Sequence, residues 1–228
     1  MPDSTAGGDD HSESIAILGG TGKEGRALAL RWARAGRAVV LGSRDASRAA
    51  EAAAEVAAGS GGSVTGMANA DACAAAGVVV AATPFDGLEV TIAACADQLR
   101  GKLVVSAVIP LLVEEGRFTV RQLAAGSAAQ LLAAAAPGCR AAAAFHNVSF
   151  KILADLSHAI EEDVPFACGT EDVETVRGLC ADLGARGVYV GGLHLATYLE
   201  GYTAVLLTVN RLYRTQAGIR FTGLPEAG

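Results

Sequence analysis

Hydrophobic and polar positions alternate along the chain in blocks whose lengths suit strands and helices in turn. The apolar run IAIL at residues 15–18 leads into a glycine-rich turn, and the next segment, GRALALRWARAG, has apolar residues at helical spacing up to Gly36. A second apolar run, RAVVLGSR, ends at Ser43 and Arg44, and Asp45 then stands where a helix N-cap is expected. The pattern therefore predicts strand, turn, helix, strand and helix within the first 60 residues.

The same alternation continues to residue 149. Strands are predicted at SVTGMAN, VVVAAT, KLVVSAVIP and CRAAAAFHNVS, and helices at ADACAAA, GLEVTIAACADQL and LLAAAAPG. We expect CRAAAAFHNVS to be the last strand of the sheet, with His146 just beyond its C-terminal edge. This order predicts an α/β fold of the Rossmann type, a doubly wound parallel sheet that binds its ligand beyond the carboxyl ends of the strands.

Past residue 145 the pattern changes and predicts a smaller C-terminal α/β domain. An acidic stretch, DLSHAIEEDVP, precedes a strand at FACGT, a helix at EDVETVRGLCADLG, a strand at GVYVG and a long final helix. The final helix is apolar on more than one face, so either a dimer interface or the cleft of the main domain has to cover it. We therefore divide the chain into an extension at 1–13, a Rossmann domain at 14–144 and a C-terminal domain at 145–228, and we expect a homodimer.

The composition argues against several classes of partner. The net charge of −6 provides no general attraction to nucleic acid or anionic lipid, and no apolar run is long and continuous enough to span a bilayer. The five cysteines are an odd number, are widely spaced and form no C-x-x-C, which is typical of buried thiols rather than disulfides or a zinc site. Residues 1–13 are polar and acidic and read as a disordered extension rather than a signal peptide. We expect a cytoplasmic protein that binds small molecules, with no nucleic acid, membrane or metal partner.

The first turn carries a dinucleotide-binding pattern, G-x-G-x-x-G, at Gly20, Gly22 and Gly25. The pattern follows a predicted strand and opens a helix, a placement in which backbone N–H groups and the helix dipole meet a pyrophosphate. The alternative is a tight turn whose glycines only allow close packing of helix and strand. The context favours dinucleotide binding.

The end of the second strand favours NADP over NAD. Ser43 and Arg44 stand where a carboxylate normally accepts hydrogen bonds from the ribose of NAD, and Arg48 follows one helical turn later. A 2′-phosphate needs hydrogen-bond donors and positive charge at this place, which a hydroxyl and guanidinium groups supply. Thr21 in the glycine turn adds another hydroxyl, and Asp45 suits helix capping. The alternative is that the arginines are only a solvated helix start.

The sequence offers little acid–base chemistry. A dehydrogenase that acts on an alcohol needs a general acid or base, but the Y-x-x-x-K spacing is absent and the three lysines have no evident orienting carboxylate. His146 is the one histidine predicted at the carboxyl edge of a strand. Hydride transfer between two stacked rings needs proximity and exclusion of water, and it requires little proton transfer by the protein. The small number of candidate acids and bases therefore suits a second substrate that is itself a hydride carrier.

Several separated segments, in the same order, resemble the NADPH-dependent reductases of coenzyme F-420, the F-420:NADP oxidoreductases. The resemblance runs from Ile15 to about Leu224, and the segments that carry it are IAILGGTGKEGRALALRWARAG, VVLGSR, AATPF, VVSAVIPL, AAFHNVS and AGIRFTGL. It implies an NADP-binding Rossmann domain, a smaller C-terminal domain that completes a deazaflavin site, and a cleft in which the two rings stack.

The resemblance also implies a set of site residues. His146 is the histidine near the deazaflavin, and the remaining positions are implied to bind the two cofactors. They are Gly20, Thr21, Gly22, Lys23, Glu24, Gly25, Ser43, Arg44 and Arg48 for the dinucleotide, Thr83, Pro84, Phe85, Val108, Ile109 and Pro110 for the walls around the nicotinamide, and Asn147, Val148 and Ala217 for the deazaflavin. Lys23 and Glu24 stand where the family has an Asn-Leu type pair, and Asn147 begins a loop that reads Thr-Ile-Pro in archaeal members.

Three other functions stay open at this point. An NADP-dependent imine or pyrroline reductase shares the general build, and a flavin or metal-chelate reductase uses a related domain. A regulator that senses the nucleotide without catalysis would also keep the turn GGTGKEG. Reduction of F-420 by NADPH separates these possibilities from hydride transfer to the deazaflavin.

Overall fold

The computed structural model describes residues 14–225 as an eight-stranded sheet with helices on both faces and a small hairpin beside it. The predicted N-terminal extension lies outside the described residues. The strands are β1 (Ile15–Leu18), β2 (Val39–Ser43), β3 (Val64–Ala68), β4 (Val78–Ala81), β5 (Leu103–Ser106), β6 (Leu111–Glu114), β7 (Arg117–Val120), β8 (Arg140–Ala143), β9 (Asp163–Ala167) and β10 (Arg186–Gly191). The helices are α1 (Lys23–Arg34), α2 (Ala46–Ser60), α3 (Asn69–Ala75), α4 (Leu88–Ala94), α5 (Ala96–Leu99), α6 (Ala128–Ala135), α7 (Phe150–Ala154), α8 (Val173–Asp182) and α9 (Ala196–Tyr213).

The strand order confirms the predicted Rossmann-type fold. The sheet runs β10-β9-β8-β5-β4-β1-β2-β3, with β1 between β2 and β4, and every pairing from β8 to β3 is parallel. The carboxyl ends of β1, β2, β4, β5 and β8 therefore lie along one edge of the sheet. In an open α/β sheet this edge is the place where ligands bind.

The expectation that β8 is the last strand of the sheet is wrong. β9 pairs with β8 in the antiparallel direction, through Ala143 and Ala167, and β10 then pairs with β9 in parallel. An unpaired β8 would leave a row of backbone N–H and C=O groups open, and β9 covers that edge. The C-terminal α/β part thus extends the Rossmann sheet, while the division into folding units at residues 144 and 145 stays a prediction.

Two local elements differ from the expected ones. The segment after β5 forms the hairpin of β6 and β7, whose turn residues Glu115 and Gly116 both have positive φ, at 48° and 74°. Positive φ at both central residues is the geometry of two-residue hairpin turns that match strand twist. The predicted helix GLEVTIAACADQL is divided at Cys95 into α4 and α5.

Apolar side chains fill both faces of the sheet. Along β1, Ile15 and Ile17 belong to one buried cluster, and Ala16 and Leu18 belong to the other. Such continuous burial is typical of a parallel strand with helices on both faces. The first cluster also contains Phe166 of β9, so a single apolar core runs through both predicted domains.

The final helix, α9, is only partly covered within the described residues. Its inner side is anchored by Glu200, whose two carboxylate oxygens accept hydrogen bonds from the N–H groups of Ala128 and Ala129 at the start of α6. Its outer side leaves Tyr198 and Val205 exposed by 69% and 53%. Among the helices of residues 14–225, none combines the length and the hydropathy that a bilayer crossing requires.

Candidate functional site

The glycine turn joins β1 to α1 and is built for close packing. A Cβ on Gly25 would lie 2.8 Å from the Gly19 carbonyl oxygen, and a Cβ on Gly20 would lie 2.9 Å from that of Ile17. Gly22 is exposed and precedes α1 in an extended conformation, with no side chain capping the helix. The turn therefore presents uncapped backbone N–H groups beyond β1, as an anion site at a helix N-terminus requires.

Gly19 is a turn residue that the motif did not include. Its φ is +77°, and a Cβ there would lie 2.7 Å from the carbonyl oxygen of Ala82, just past β4. Only glycine allows both the left-handed backbone and this approach. The sequence signal for this position is the first of the two glycines that begin GGTGKEG.

The residues predicted to bind a 2′-phosphate lie at the end of β2 and at the start of α2. Asp45 is the N-cap of α2, and its carboxylate accepts hydrogen bonds from the N–H groups of Ser47 and Arg48, which confirms its capping role. Arg44 and Arg48 are exposed, and neither guanidinium forms an ion pair or a hydrogen bond within residues 14–225. Ser43 is half-buried beside them. Two uncommitted cations therefore face solvent where the 2′-phosphate is predicted.

The predicted nicotinamide walls come together because β4 and β5 are neighbours. Thr83, Pro84 and Phe85 follow β4, and the segment 108–110 follows β5 at the same sheet edge. The Thr83 hydroxyl oxygen is buried and forms no hydrogen bond with any residue that the structure describes. A guanidinium, that of Arg121, lies 5.5 Å from the centre of the Phe85 ring.

His146 follows β8 through an unusual backbone turn. Phe145 has φ of +72°, a left-handed conformation that is costly for an aromatic residue, and its ring packs edge-on against Trp32 at 5.5 Å. Strained backbone of this kind clusters at functional sites. The Thr203 hydroxyl donates a hydrogen bond of 2.8 Å to the His146 carbonyl, so α9 helps to hold the turn.

The imidazole of His146 is buried, neutral and without a protein partner. The residue is 6% exposed, and neither ring nitrogen forms a hydrogen bond in the described part of the chain. Burial lowers the pKa of His146 to about 4. The next residue, Asn147, donates its amide to the Asp163 carbonyl, but its side-chain oxygen is also buried and unpartnered. Such atoms are costly to leave unsatisfied, and their convergence suits a polar ligand edge.

A cavity of about 650 Å³ brings part of the predicted site together. This volume is within the range of small-molecule sites. Its lining includes six residues predicted for the site: Glu24, Ile109, His146, Asn147, Val148 and Ala217. The other predicted residues do not line it; they are Gly20, Thr21, Gly22, Lys23, Gly25, Ser43, Arg44, Arg48, Thr83, Pro84, Phe85, Val108 and Pro110.

The opposite wall of the cavity comes from residues that the sequence reasoning missed. β6 supplies Leu111, and Ser149 stands just before α7, which supplies Phe150 and Lys151. α9 and the segment after it supply Thr203, Leu206, Leu207, Asn210, Arg211, Arg214, Thr215 and Gln216. Lys23 also approaches this wall, since its ammonium lies 5.5 Å from the centre of the Phe150 ring. Their contribution depends on how α9 folds back over the sheet edge, which no local pattern reveals.

Comparison with known proteins shows that the sequence is similar to those of reductases. The sequence matches the family described as NADP oxidoreductase, coenzyme F420-dependent, over residues 14–110. A curated F420-dependent NADP reductase from Methanothermobacter thermautotrophicus is 40% identical over 222 residues, which cover 93% of this chain and 96% of that protein. The protein of the same name from Methanothermobacter marburgensis is 36% identical, covering 93% of this chain and 99% of the other.

A crystal structure extends the comparison to three dimensions. The Arthrobacter sp. FB24 protein, proposed to be an F420-dependent NADP reductase, superposes with a TM-score of 0.77 at 22% identity, and the match covers 92% of this chain and 100% of that one. At this identity the likeness shows the fold alone.

Proposed function

The chain belongs to the family of F420-dependent NADP reductases, and on this premise we propose that it transfers a hydride reversibly between NADP(H) and the deazaflavin coenzyme F420. The imine, pyrroline, flavin and metal-chelate reductases considered above are less supported, because relatives that match nearly the whole chain have the F420-dependent name.

The cavity beside His146 is the observation that carries this proposal. It lies at the carboxyl edge of the sheet, next to the glycine turn, and its one histidine is buried in the neutral form. Hydride transfer between two rings depends on proximity and orientation, which lower the barrier, and it needs no strong acid or base. The protein's part is to hold the rings together and keep water out.

The proposed dinucleotide site lies at the carboxyl ends of β1 and β2. The glycines of the turn and Thr21 would receive the pyrophosphate, and Ser43, Arg44 and Arg48 would hold the 2′-phosphate. Two observations support NADP rather than NAD: neither guanidinium pairs with another described residue, and the Asp45 carboxylate caps α2. The segments 83–85 and 108–110, which end two neighbouring strands, would enclose the nicotinamide.

The proposed deazaflavin site lies on the far side of the cavity. His146, Asn147 and Val148 would contact the ring, with Ala217 covering it from the segment after α9. The unpartnered nitrogens of His146 and the Asn147 side-chain oxygen can bond the polar edge of such a ring. Lys23, Glu24 and Ile109 would lie between the two halves.

The proposal includes a homodimer in the cytoplasm. The outer face of α9 exposes Tyr198, Tyr202, Val205 and Leu212, at spacings of four, three and seven residues that form one apolar stripe. A second copy of the chain is the occupant we propose for this stripe, since a dimer buries the same patch on both partners. The five cysteines are all free, which supports a reducing location.

Mixing the purified protein with NADPH and oxidised F420 tests the function directly. We expect the visible absorbance of the deazaflavin to bleach with turnover, and to recover when NADP⁺ is added to reduced F420. Consumption of NADPH only with an imine or a flavin would favour the other reductases. Tight binding of NADP without bleaching would indicate a nucleotide sensor.

A further inference from the structure

The cavity contains a third residue with an unpartnered polar group, besides His146 and Asn147. Glu24 is the second residue of α1, between Gly22 and Gly25 of the glycine motif, and its side chain lines the same cavity as His146. Its Oε1 atom is buried and forms no hydrogen bond in the described residues. A buried carboxyl oxygen without a partner is destabilising unless a ligand or water satisfies it.

No cation neutralises this carboxyl group. The ion pairs of residues 14–225 do not include Glu24. The nearby charged groups are engaged elsewhere or exposed: the Lys23 ammonium stacks on Phe150, the Arg26 guanidinium pairs with Glu55, and Lys151, Arg211 and Arg214 line the cavity as exposed side chains. Glu24 therefore has no ion-pair partner among the described residues, although three exposed cations line the same cavity.

Burial decides the charge of Glu24. Desolvation raises the pKa of its carboxyl group to about 8, so the proton-bearing form predominates at neutral pH. The N-terminal dipole of α1 acts in the opposite direction, because it favours the negative form of a carboxyl group in the first turn. A proton-bearing carboxyl has one O–H donor as well as acceptor oxygens. It also adds no negative charge beside the turn that is proposed to bind the pyrophosphate.

We propose that Glu24 donates a hydrogen bond from its protonated carboxyl group to a carbonyl oxygen of the redox ring in this cavity. The inference rests on the proposed function, since it assumes that such a ring occupies the site. Two sources share this chemistry: the carboxamide of the nicotinamide and a ring carbonyl of the deazaflavin. In either case Glu24 positions the ring, and it neither gives up nor takes a proton during hydride transfer.

The pH profile of kcat/KM in wild type and two variants tests the proposal. We expect the wild type to lose activity as pH rises past about 8, because ionisation removes the donor and places a negative charge beside the ring. Glu24→Gln keeps a donor that cannot ionise, so its alkaline limb should disappear while activity at pH 7 falls by about threefold. Glu24→Leu removes the donor, and its activity at pH 7 should fall by about tenfold. Glu174→Gln, which changes an exposed carboxylate on α8 that pairs with Arg177, is the matched control.

Infrared difference spectroscopy of wild type minus Glu24→Gln gives a readout that needs no turnover. We expect a band of a protonated carboxyl group at pH 7, and this band should shift when NADP⁺ or F420 is added. A shift with NADP⁺ assigns the acceptor to the nicotinamide carboxamide, and a shift with F420 alone assigns it to the deazaflavin. If the protein failed to reduce F420 but the band still shifted with NADP⁺, the proposed function would be lost and this inference would stand.

Three results would overturn the inference. The first is a carboxylate band at pH 7 in place of the protonated one. The second is the same alkaline limb in wild type and Glu24→Gln, which would assign that titration to another group. The third is a carboxyl band that neither ligand moves.

Discussion

At the scale of single residues, the candidate site is defined by polar atoms that the protein itself leaves without partners. The ring nitrogens of His146, the side-chain oxygen of Asn147 and Oε1 of Glu24 all meet one cavity. Arg44 and Arg48 are the complementary case, since they are exposed cations with no carboxylate to bind within the described chain. Each of these groups can be tested separately.

Arg44→Ala tests the phosphate site. The variant should raise KM for NADPH by about 10- to 100-fold, because a charge-assisted hydrogen bond is worth about 1.5–3 kcal/mol, and it should leave KM for NADH little changed. Steady-state kinetics with both nucleotides makes the measurement, and Arg100→Ala, which removes an exposed arginine between α5 and β5, is the control. An equal loss for NADPH and NADH would contradict the assignment.

His146 should make the protein sensitive to acid. Its folded pKa of about 4 lies below the unfolded value of about 6.5, so its imidazole contributes stability above pH 6.5 that is lost as pH falls towards 4. His146→Gln cannot titrate, so the free energy of unfolding of the variant should gain up to about 3 kcal/mol relative to wild type between pH 6.5 and pH 4. Urea titrations at several pH values measure this difference. A pH-independent difference, or the same gain in the control variant His194→Gln, would rule out the buried neutral imidazole.

At the scale of elements, α1 connects the nucleotide turn to the C-terminal part. Its first turn follows the glycines, and its last turns carry Arg31 and Trp32 into the space between α7 and α8. The Trp32 indole donates to the Leu179 carbonyl at 3.0 Å. The Arg31 guanidinium donates to the backbone carbonyls of Ile152, Leu153, Asp155, Leu183 and His158. One helix therefore fixes both halves of the site relative to each other.

Removal of the Arg31 guanidinium should destabilise the fold. Arg31→Met leaves several carbonyls without donors, and we expect a loss of about 3 kcal/mol in the free energy of unfolding. Arg31→Lys should lose less, because one ammonium can still serve some of the carbonyls. Arg34→Met, on the exposed side of the same helix, should change stability by less than about 0.5 kcal/mol. Unfolding in guanidinium chloride compares the stabilities of the three variants. An equal loss of stability in Arg31→Met and Arg34→Met would contradict the stabilising role of the Arg31 guanidinium.

At the scale of the whole molecule, the sheet runs through both predicted domains and α9 closes the cavity. The inner side of α9 contributes Thr203 and Leu206 to the site, while its outer side is the apolar stripe. A surface helix with two apolar sides needs a second surface to cover the side that faces away from the core. The proposed dimer would therefore stabilise the same helix that encloses the ligand.

Val205→Asp tests the dimer. A carboxylate at the centre of the stripe should be desolvated in a dimer, so sedimentation should show monomers where the wild type shows dimers. Val90→Asp, on α4 and 75% exposed, is the matched control and should leave the mass unchanged. A wild type that sediments as a monomer, or a variant that stays dimeric, would exclude this stripe as the interface.

The sequence predicted the elements that depend on short-range patterns of residues. β1, the glycine turn, the Asp45 cap of α2 and the position of His146 after β8 all follow from local spacing, and the structure contains each of them. The hairpin turn at Glu115 and Gly116 was missed, because Glu is an unusual residue at a positive φ. The cavity wall from α9 was also missed, since it depends on contacts between residues more than 50 positions apart.

The amino-acid sequence by itself determined the Rossmann-type pattern, the nucleotide turn and the cations at the end of β2, because each depends on residues within one or two helical turns of one another. Only the tertiary structure decided that β9 covers the free edge of β8, that α9 returns over the carboxyl edge, and that Glu24 and His146 line one cavity. These features arise from long-range burial. Burial removes water from side chains that are distant in the chain, and it thereby sets which of them are charged and which lack a partner.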